Sequence, residues 1–233
     1  MVAQITEKAY FLRSELIAMR EMNRRKTAII SRMPVVFNRI PNGGFDDGIV
    51  NWDIADAATT TRSPVAGGME IVSGSGAGRV NSVKVKLALG AKYKLQVEVT
   101  QKSSSTDSFV HVGTTAGGRQ YAANLTMGSP VGVSSASFYA SHPDMWVQLG
   151  AVTGTTVRYD NVQLWEVDPS DNAPWIRLPF GQKVGEMGQV IRDGLPLMRS
   201  DYEEKTRSGQ TFIKPLVAPG VNTEFDVYCG IGA

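Results

Sequence analysis

Strict alternation of apolar and polar residues over positions 93–99 constrains the fold of this chain more than any other feature of its sequence. The segment reads Tyr-Lys-Leu-Gln-Val-Glu-Val, so every second side chain is apolar and the others are polar. Successive side chains of a β-strand point to opposite faces, which predicts a strand with one buried face and one solvated face. Residues 83–87 repeat the pattern. Such strands are typical of an antiparallel sheet with water on one side.

Short segments of this kind fill the middle of the chain, and clusters of Gly, Ser, Thr and Asn separate them. The 24 glycines among 233 residues fit a turn-rich β body better than a helical one. The predicted strands cover residues 59–62, 69–73, 80–87, 92–101, 108–114, 119–125, 131–139, 145–151 and 156–167. Because no helical pattern lies between them, we expect a mainly β protein whose antiparallel sheets pack as a β-sandwich.

A helix is predicted over residues 1–33, and we interpret it as an N-terminal helical anchor. Residues 4–26 contain no Gly or Pro and are rich in strong helix formers, and Pro34 ends the helix. Apolar residues recur there with the spacing of a coiled-coil seam. The seam includes Ile5, Leu12, Leu16, Met19 and, at its last position, Asn23. A helix this short is marginal alone, so it packs either on its own sandwich or on other subunits or another protein.

The C-terminal segment, residues 168–233, is predicted to form an extended arm. It begins with a turn-rich linker, and Pro and Gly interrupt it too often for a long helix. It nevertheless carries large apolar residues, among them Trp175, Phe212 and Phe225. We expect these side chains to pack against another surface and not to be exposed to water. Residues 211–213 and 224–228 are predicted strands that add to the sandwich or to a neighbour's sheet. Both arms therefore indicate assembly, as a homo-oligomer or with another protein.

Two motifs at the ends of the predicted sandwich resemble a known family. Residues 42–48 read Asn-Gly-Gly-Phe-Asp-Asp-Gly and precede Trp52, which resembles the opening of family 4/9-type carbohydrate-binding modules. Residues 159–164 read Tyr-Asp-Asn-Val-Gln-Leu and resemble the closing strand of those modules. The resemblance implies a jelly-roll-like sandwich over residues 34–167. It also points to bacteriophage structural proteins, in which modules of this type serve as spacer or attachment domains.

The resemblance further implies a structural calcium ion where the opening and closing segments meet. Carried over by position, Asp46 and Asp160 are the candidate ligands, and their carboxylate oxygens suit a hard cation. The alternative is that both side chains make only turn and strand-end hydrogen bonds. The paired glycines at positions 43 and 44 depart from the single glycine that is usual in the family.

Saccharide binding requires exposed aromatic rings with amide or carboxylate groups beside them. Most aromatic residues of the predicted sandwich fall at alternating strand positions, which is typical of core residues. Tyr121 and Tyr139 are the candidates for exposed platforms, with Gln120 and Asn124 as their polar neighbours.

The sequence does not indicate an enzyme. No nucleophile elbow, zinc-binding helix motif or phosphate-binding glycine loop is present. His111 and His142 are the only histidines, and His142 lies in a predicted turn. His111 shares one strand face with Phe109, which is typical of a hydrogen-bonded structural histidine. We therefore expect no catalytic activity.

These features predict a structural protein of a bacteriophage particle, in its tail, neck or fibre attachment. It would assemble in the host cytoplasm, with other virion structural proteins as partners and a host-surface glycan as a further one. The alternatives are a free saccharide-binding receptor module and a capsid decoration protein. The net charge of +2 is too small to indicate nucleic acid, and no apolar run of about 18 residues indicates a membrane span.

Overall fold

The computed structural model describes residues 29–36, 38–55, 57–178, 184, 189–207, 210–216, 219 and 223–230, with residues 29–36 described through their backbone alone. The chain divides into two compact units. The first, named the sandwich unit, comprises the described parts of residues 36–176 and 218–223. The second, named the terminal unit, comprises the described parts of residues 1–35, 177–217 and 224–233.

The strands follow one another with little other regular structure between them. In chain order they are β1 (Ile29–Val36), β2 (Trp52–Ile54), β3 (Thr60–Val65), β4 (Gly68–Ser73), β5 (Gly78–Ser82), β6 (Val85–Lys86), β7 (Lys92–Gln101), β8 (Ser108–Gly113), β9 (Gly132–Tyr139), β10 (Asp144–Ala151), β11 (Thr156–Glu166), β12 (Ile176–Arg177), β13 (Gln189–Arg192), β14 (Leu195–Pro196), β15 (Tyr202–Arg207), β16 (Gln210–Pro215) and β17 (Glu224–Gly230). One short 3-10 turn, Arg199–Asp201, precedes β15.

The sandwich unit contains two antiparallel sheets. In the first, named the front sheet, β10 pairs with β5 and β6 along one edge and with β8 along the other, and β2 pairs with β5. The second, named the back sheet, has the order β3-β4-β11-β7-β9. The pairs β4–β11 and β5–β10 are nested along the chain, one in each sheet, as expected of a jelly roll. The prediction of a mainly β protein with antiparallel sheets is confirmed for the described residues.

Both sheets contribute side chains to one hydrophobic core. The alternation over residues 93–99 is confirmed, because its four apolar side chains on β7 are at most 1% exposed. Val110 and Leu149 of the front sheet belong to the same buried cluster. Trp52 is also fully buried there, and its indole nitrogen donates to the carbonyl oxygen of Asn42 at 3.2 Å. The tryptophan of the opening motif is therefore a core residue.

The opening segment docks on the closing strand through a bulge in β11. The pairing of β11 with β7 shifts register between residues 160 and 163. There the backbone nitrogen of Val162 donates to the carbonyl oxygen of Gly43 at 2.8 Å. The side chain of Asn38 donates to the carbonyl oxygen of Val162 and accepts from the backbone nitrogen of Leu164, both at 2.9 Å. A Cβ at position 43 would collide with the Val162 carbonyl, which explains the glycine there.

A buried tyrosine hydroxyl links the two sheets. Tyr159 on β11 is fully buried, and its hydroxyl lies 2.6 Å from the carbonyl oxygen of Gly150 and 3.1 Å from that of Phe109. Gly150 and Phe109 are opposite each other on β10 and β8. Burial raises the pKa of Tyr159 above its ordinary value, so the hydroxyl keeps its proton and donates it to the front sheet.

The predicted N-terminal helix is wrong over residues 29–33, which lie in β1, and Pro34 lies inside that strand. β-Branched residues at both ends of β1 favour a strand, and pairing with β17 supplies hydrogen bonds that local sequence does not reveal. The predicted seam residues Ile5, Leu12, Leu16, Met19 and Asn23 lie outside the described residues. Within the described ranges, no helix has the length and apolar character needed to cross a membrane.

The C-terminal segment differs from the predicted extended arm because it forms paired strands. Two further sheets have the orders β1-β17-β13-β14 and β12-β16-β15. The strands predicted at 211–213 and 224–228 fall within β16 and β17. Trp175, Phe212 and Phe225 are all buried within the chain. Their role in assembly stays a prediction.

Replacing Tyr159 with Phe should lower the free energy of unfolding by about 1–2 kcal/mol, because it removes a buried donor from two carbonyl oxygens. Chemical denaturation followed by tryptophan fluorescence measures the loss. The matched control is Tyr139→Phe, since the Tyr139 ring is 55% exposed on β9. This control should change stability by less than about 0.5 kcal/mol. Equal effects of the two substitutions would contradict the prediction.

Candidate functional site

The two tyrosines predicted as saccharide platforms have different surroundings. The Tyr121 ring stacks on Phe138 with centroids 4.4 Å apart. Its hydroxyl accepts from the backbone nitrogens of Ser141 at 3.1 Å and His142 at 3.0 Å, so this side chain ties two chain segments together. Tyr139 is exposed on the back sheet, with Nζ of Lys92 5.6 Å from its ring centroid. Of the two, only Tyr139 presents an open ring.

The two predicted polar neighbours lie in the loop that follows β8. Residues 119–125 were predicted to be a strand, which is wrong, since this segment joins β8 by one bridge between Val112 and Ala122. The side-chain oxygen of Gln120 accepts from the backbone nitrogen of Thr114 at 3.1 Å and so shapes the loop. Asn124 lies 3.0 Å from a ring nitrogen of His111, on the front sheet. The structure therefore places Asn124 in a different surface from Tyr139.

The outer face of the front sheet collects polar and aromatic residues from three strands. Alternation along β10 turns Met145, Val147 and Leu149 into the core, so Trp146 and Gln148 point outward. Strand register places Gln148 between Asn81 on β5 and His111 on β8. It places Gly150 between Arg79 and Phe109 in the next row. We name this surface the front face; it comprises Asn81, Phe109, His111, Trp146 and Gln148.

A chain of side-chain hydrogen bonds crosses the front face. The side-chain nitrogen of Gln148 donates to Oδ1 of Asn81 at 2.9 Å, and its Oε1 lies 3.1 Å from Nδ1 of His111. Nε2 of His111 lies 3.0 Å from the side-chain amide of Asn124. The Asn124 atom that Nε2 faces is Oδ1, so each ring nitrogen lies beside an amide oxygen, and a neutral ring donates to one of the two. The network thus runs from the loop to Asn81.

The centre of this network is shielded from water. His111 is 2% exposed and Gln148 is 5% exposed. The loop backbone lies over Gln148, since a Cβ at Gly117 would come within 3.1 Å of its side-chain nitrogen. On the other side, His111 stacks on Phe109 with centroids 4.8 Å apart. The Phe109 ring fills the space above Gly150, where any side chain would collide with it.

Asn81 is the last member of the network, and Trp146 lies on the same face of the sheet, two residues before Gln148 on β10; both residues are half-buried. Oδ1 of Asn81 is held by Gln148, and its Nδ2 makes no hydrogen bond to any described residue. Nζ of Lys84 lies 5.8 Å from the Trp146 ring centroid. The front face therefore offers an amide donor and an indole ring on the same face of one sheet.

Burial is the main cause that lowers the pKa of His111 below its ordinary value. The positive charges of Arg119 and Arg79 lower it further, whereas the hydrogen bonds to Asn124 and Gln148 act in the opposite direction. The ring is therefore neutral at neutral pH. The expectation of a hydrogen-bonded structural histidine beside Phe109 is confirmed by these contacts.

The predicted calcium ligands lie near the bulge of β11. The pKa of Asp160 is raised, chiefly by burial and also by the negative charges of Glu98 and Asp46. Oδ1 of Asp160 accepts from the backbone nitrogen of Asn161 at 2.7 Å, as the alternative interpretation expects. Among the described residues, no group of three or more His, Cys, Asp and Glu side chains has the arrangement of a metal site. A calcium ion at this place stays a prediction.

The sequence interpretation missed Asn81, Gln148 and Trp146. A signal was present, because the apolar residues at 145, 147 and 149 place Trp146 and Gln148 on the opposite face of a strand. Nothing in the sequence places Asn81 beside Gln148, since that neighbourhood depends on the register of β5 against β10.

Acidification should destabilise the wild-type protein more than the variant His111→Gln. A histidine whose pKa is lowered on folding contributes stability above its unfolded pKa, near 6.5, and loses it as the pH falls. Thermal unfolding at several pH values from about pH 8 to pH 5 measures this effect. The difference in melting temperature between the two proteins should change with pH. The exposed His142 supplies the matched control, His142→Gln. A pH-independent gap between wild type and His111→Gln would contradict the assignment.

No family model and no curated protein matches the sequence. Solved structures match about half of it. The enzymatically active domain of tailspike protein 4 from bacteriophage CBA120 is 11% identical over 56% of this chain and 22% of that chain, with a TM-score of 0.43. The family 16 carbohydrate-binding module-2 is 17% identical over 55% and 99%, with a TM-score of 0.39. TmCBM61, solved with β-1,4-galactotriose, is 12% identical over 55% and 98%, with a TM-score of 0.35. These likenesses are weak, and no family membership follows from them.

Proposed function

We propose that the sandwich unit is a saccharide-binding module and that the front face is its binding surface. The observation that carries the proposal is that Trp146 shares one sheet face with Asn81, the last member of a buried hydrogen-bond network. An indole packs against the C–H face of a sugar ring, and an amide nitrogen donates to a ring hydroxyl. The indole and the amide together match the apolar C–H face and the hydroxyl groups of a sugar.

The buried part of the network supports binding by fixing the exposed part. Gln148 holds the oxygen of Asn81, and His111 in turn holds Gln148, so the free nitrogen of Asn81 has one direction. A side chain that is already oriented loses little conformational entropy when a ligand binds. The Asn81 amide of the front face is thus oriented before a ligand binds.

The proposed role is binding without catalysis. Within the described residues, no carboxylate hydrogen-bonds to the network, whose members are amides and a neutral histidine. Glycoside hydrolysis most often uses two carboxyl groups on either side of the bond, and the front face offers no such pair. We therefore propose that the front face binds its ligand without cleaving it.

A second candidate function concerns the place of this module in a larger assembly. Strand β1 precedes the sandwich unit in the chain, and its partner β17 follows it, so the sandwich is inserted between segments of the terminal unit. A domain can be inserted into an exposed loop of another domain, and the inserted domain can then carry a binding surface. We propose that the terminal unit joins other virion structural proteins, or further copies of the chain, at a phage tail, neck or fibre attachment. A capsid decoration protein is the variant of this proposal, and in either case a host-surface glycan would be the ligand.

The variant Trp146→Ala should weaken binding to a saccharide identified on a glycan array by at least about tenfold, or about 1.4 kcal/mol. Asn81→Ala should weaken it as well, because the free amide donor is lost. Isothermal titration calorimetry measures both. The matched control is Tyr139→Ala, which removes an exposed ring from the back sheet. Loss of binding in the control, with Trp146→Ala unaffected, would place the site on the back sheet and contradict the proposal.

The virion proposal predicts that the tagged full-length chain is found in purified phage particles at a fixed position. Electron microscopy of labelled particles measures this. A chain that binds glycans as a monomer and is absent from particles would instead favour the free receptor module.

A further inference from the structure

Three cationic side chains border the front face. Lys84 lies beside Trp146, with its Nζ 5.8 Å from the ring centroid. Arg79 is exposed on β5, on the same side of the strand as Asn81 and opposite Gly150. Arg119 is exposed in the loop over the network. The charges of both arginines act on His111, so both lie within electrostatic reach of the network's centre.

Four other cations of the sandwich unit lie beside acidic side chains, whereas these three do not. The paired ones are Lys86 with Asp144 at 2.5 Å, Arg158 with Glu70 at 2.8 Å, Arg39 with Glu166 at 3.9 Å and Arg62 with Asp53 at 4.0 Å. Among the residues that the structure describes, no acidic side chain lies within ion-pair distance of Arg79, Arg119 or Lys84. The front face therefore has an excess of positive charge.

The side chains of the hydrogen-bond network carry no negative charge that would offset these three cations. His111, Gln148 and Asn81 are neutral groups. Asp53 is opposite Asn81 on β2, but its carboxylate lies beside Arg62. Asp144, which Lys84 influences, is held by Lys86. A ligand at the front face thus meets an indole, an amide donor, two guanidinium groups without an acidic partner and the exposed carboxylate of Asp53, which Arg62 partly offsets.

We infer that the front face binds acidic saccharides, of the uronate type, in preference to neutral ones. This inference rests on the proposed saccharide-binding function and names its ligand class. The sugar ring packs on Trp146 and a hydroxyl accepts from Asn81, while a ring carboxylate accepts hydrogen bonds from Arg79 or Arg119. A guanidinium matches a carboxylate with two parallel hydrogen bonds, and such charge-assisted bonds are stronger than neutral ones.

The test compares matched ligands on the full-length chain. Short oligosaccharides of uronic acids are titrated by calorimetry together with their methyl esters, which keep the same ring and lose the charge. Neutral parents and sulfated oligosaccharides complete the panel. The uronates should bind at least about tenfold more tightly than their esters. That preference should shrink between about 50 mM and about 500 mM NaCl, because salt screens exposed charges.

The variant Arg79→Gln/Arg119→Gln should lose the preference for uronates while keeping the affinity for methyl esters. The matched control is Lys92→Gln/Lys94→Gln, which removes two positive charges that lie over aromatic rings of the back sheet. The control should keep the wild-type preference. Thermal unfolding establishes that both variants are folded.

The outcomes separate this inference from the function on which it rests. Equal binding of uronates and their esters would overturn the inference and leave a neutral saccharide-binding module. Binding of sulfated chains with no binding of uronates would also overturn it, since the rim would then serve a different anion. If Lys92→Gln/Lys94→Gln also abolished the preference for uronates, the preference would come from the overall charge of the protein, and the inference would be overturned. Absence of binding to every saccharide on the array would overturn the proposed function itself.

Discussion

The sandwich unit depends on β11, the central strand of the back sheet. β11 pairs with β4 and β7, and its bulge receives the opening segment through Gly43 and Asn38. The hydroxyl of Tyr159 extends from the same strand into the front sheet. One strand therefore joins the start of the sandwich to its end and one sheet to the other. A buried polar group in such a position is stable only when its partners are in place, so these contacts define a single packing of the two sheets.

The strand pair that meets the Tyr159 hydroxyl on its inner side carries the candidate site on its outer side. There the ring of Phe109 lies over Gly150, and His111 stacks on that ring. From His111 the hydrogen bonds lead through Gln148 to Asn81. The direction of an exposed amide is thus decided by buried contacts that begin in the core. Rigid support of this kind is what a binding surface needs, because a ligand then does not have to order it.

The charged side chains of the sandwich unit include some that form ion pairs and some that have no acidic neighbour. Ion pairs such as Arg158 with Glu70 tie neighbouring strands together and leave little net field. At the front face, neutral amides and a neutral imidazole form the interior of the site, and the cations stand at its rim. Burial keeps the imidazole neutral, so the positive potential at this face comes from the exposed cations alone. Rim charges of this kind affect ligand choice more than they affect stability.

The sequence by itself determined the β architecture, because strand periodicity is a local property: alternation over residues 93–99 predicts a buried face whatever it packs against. It also determined that His111 shares a face with Phe109, and that the opening and closing motifs bound the sandwich. Only the tertiary structure decided that residues 29–36 form a strand, since their partner β17 comes from the far end of the chain. Likewise, only strand register brought Asn81 to Gln148 and Trp146. Pairing between distant segments is set by hydrogen bonds and packing across the sheet, which no local pattern encodes.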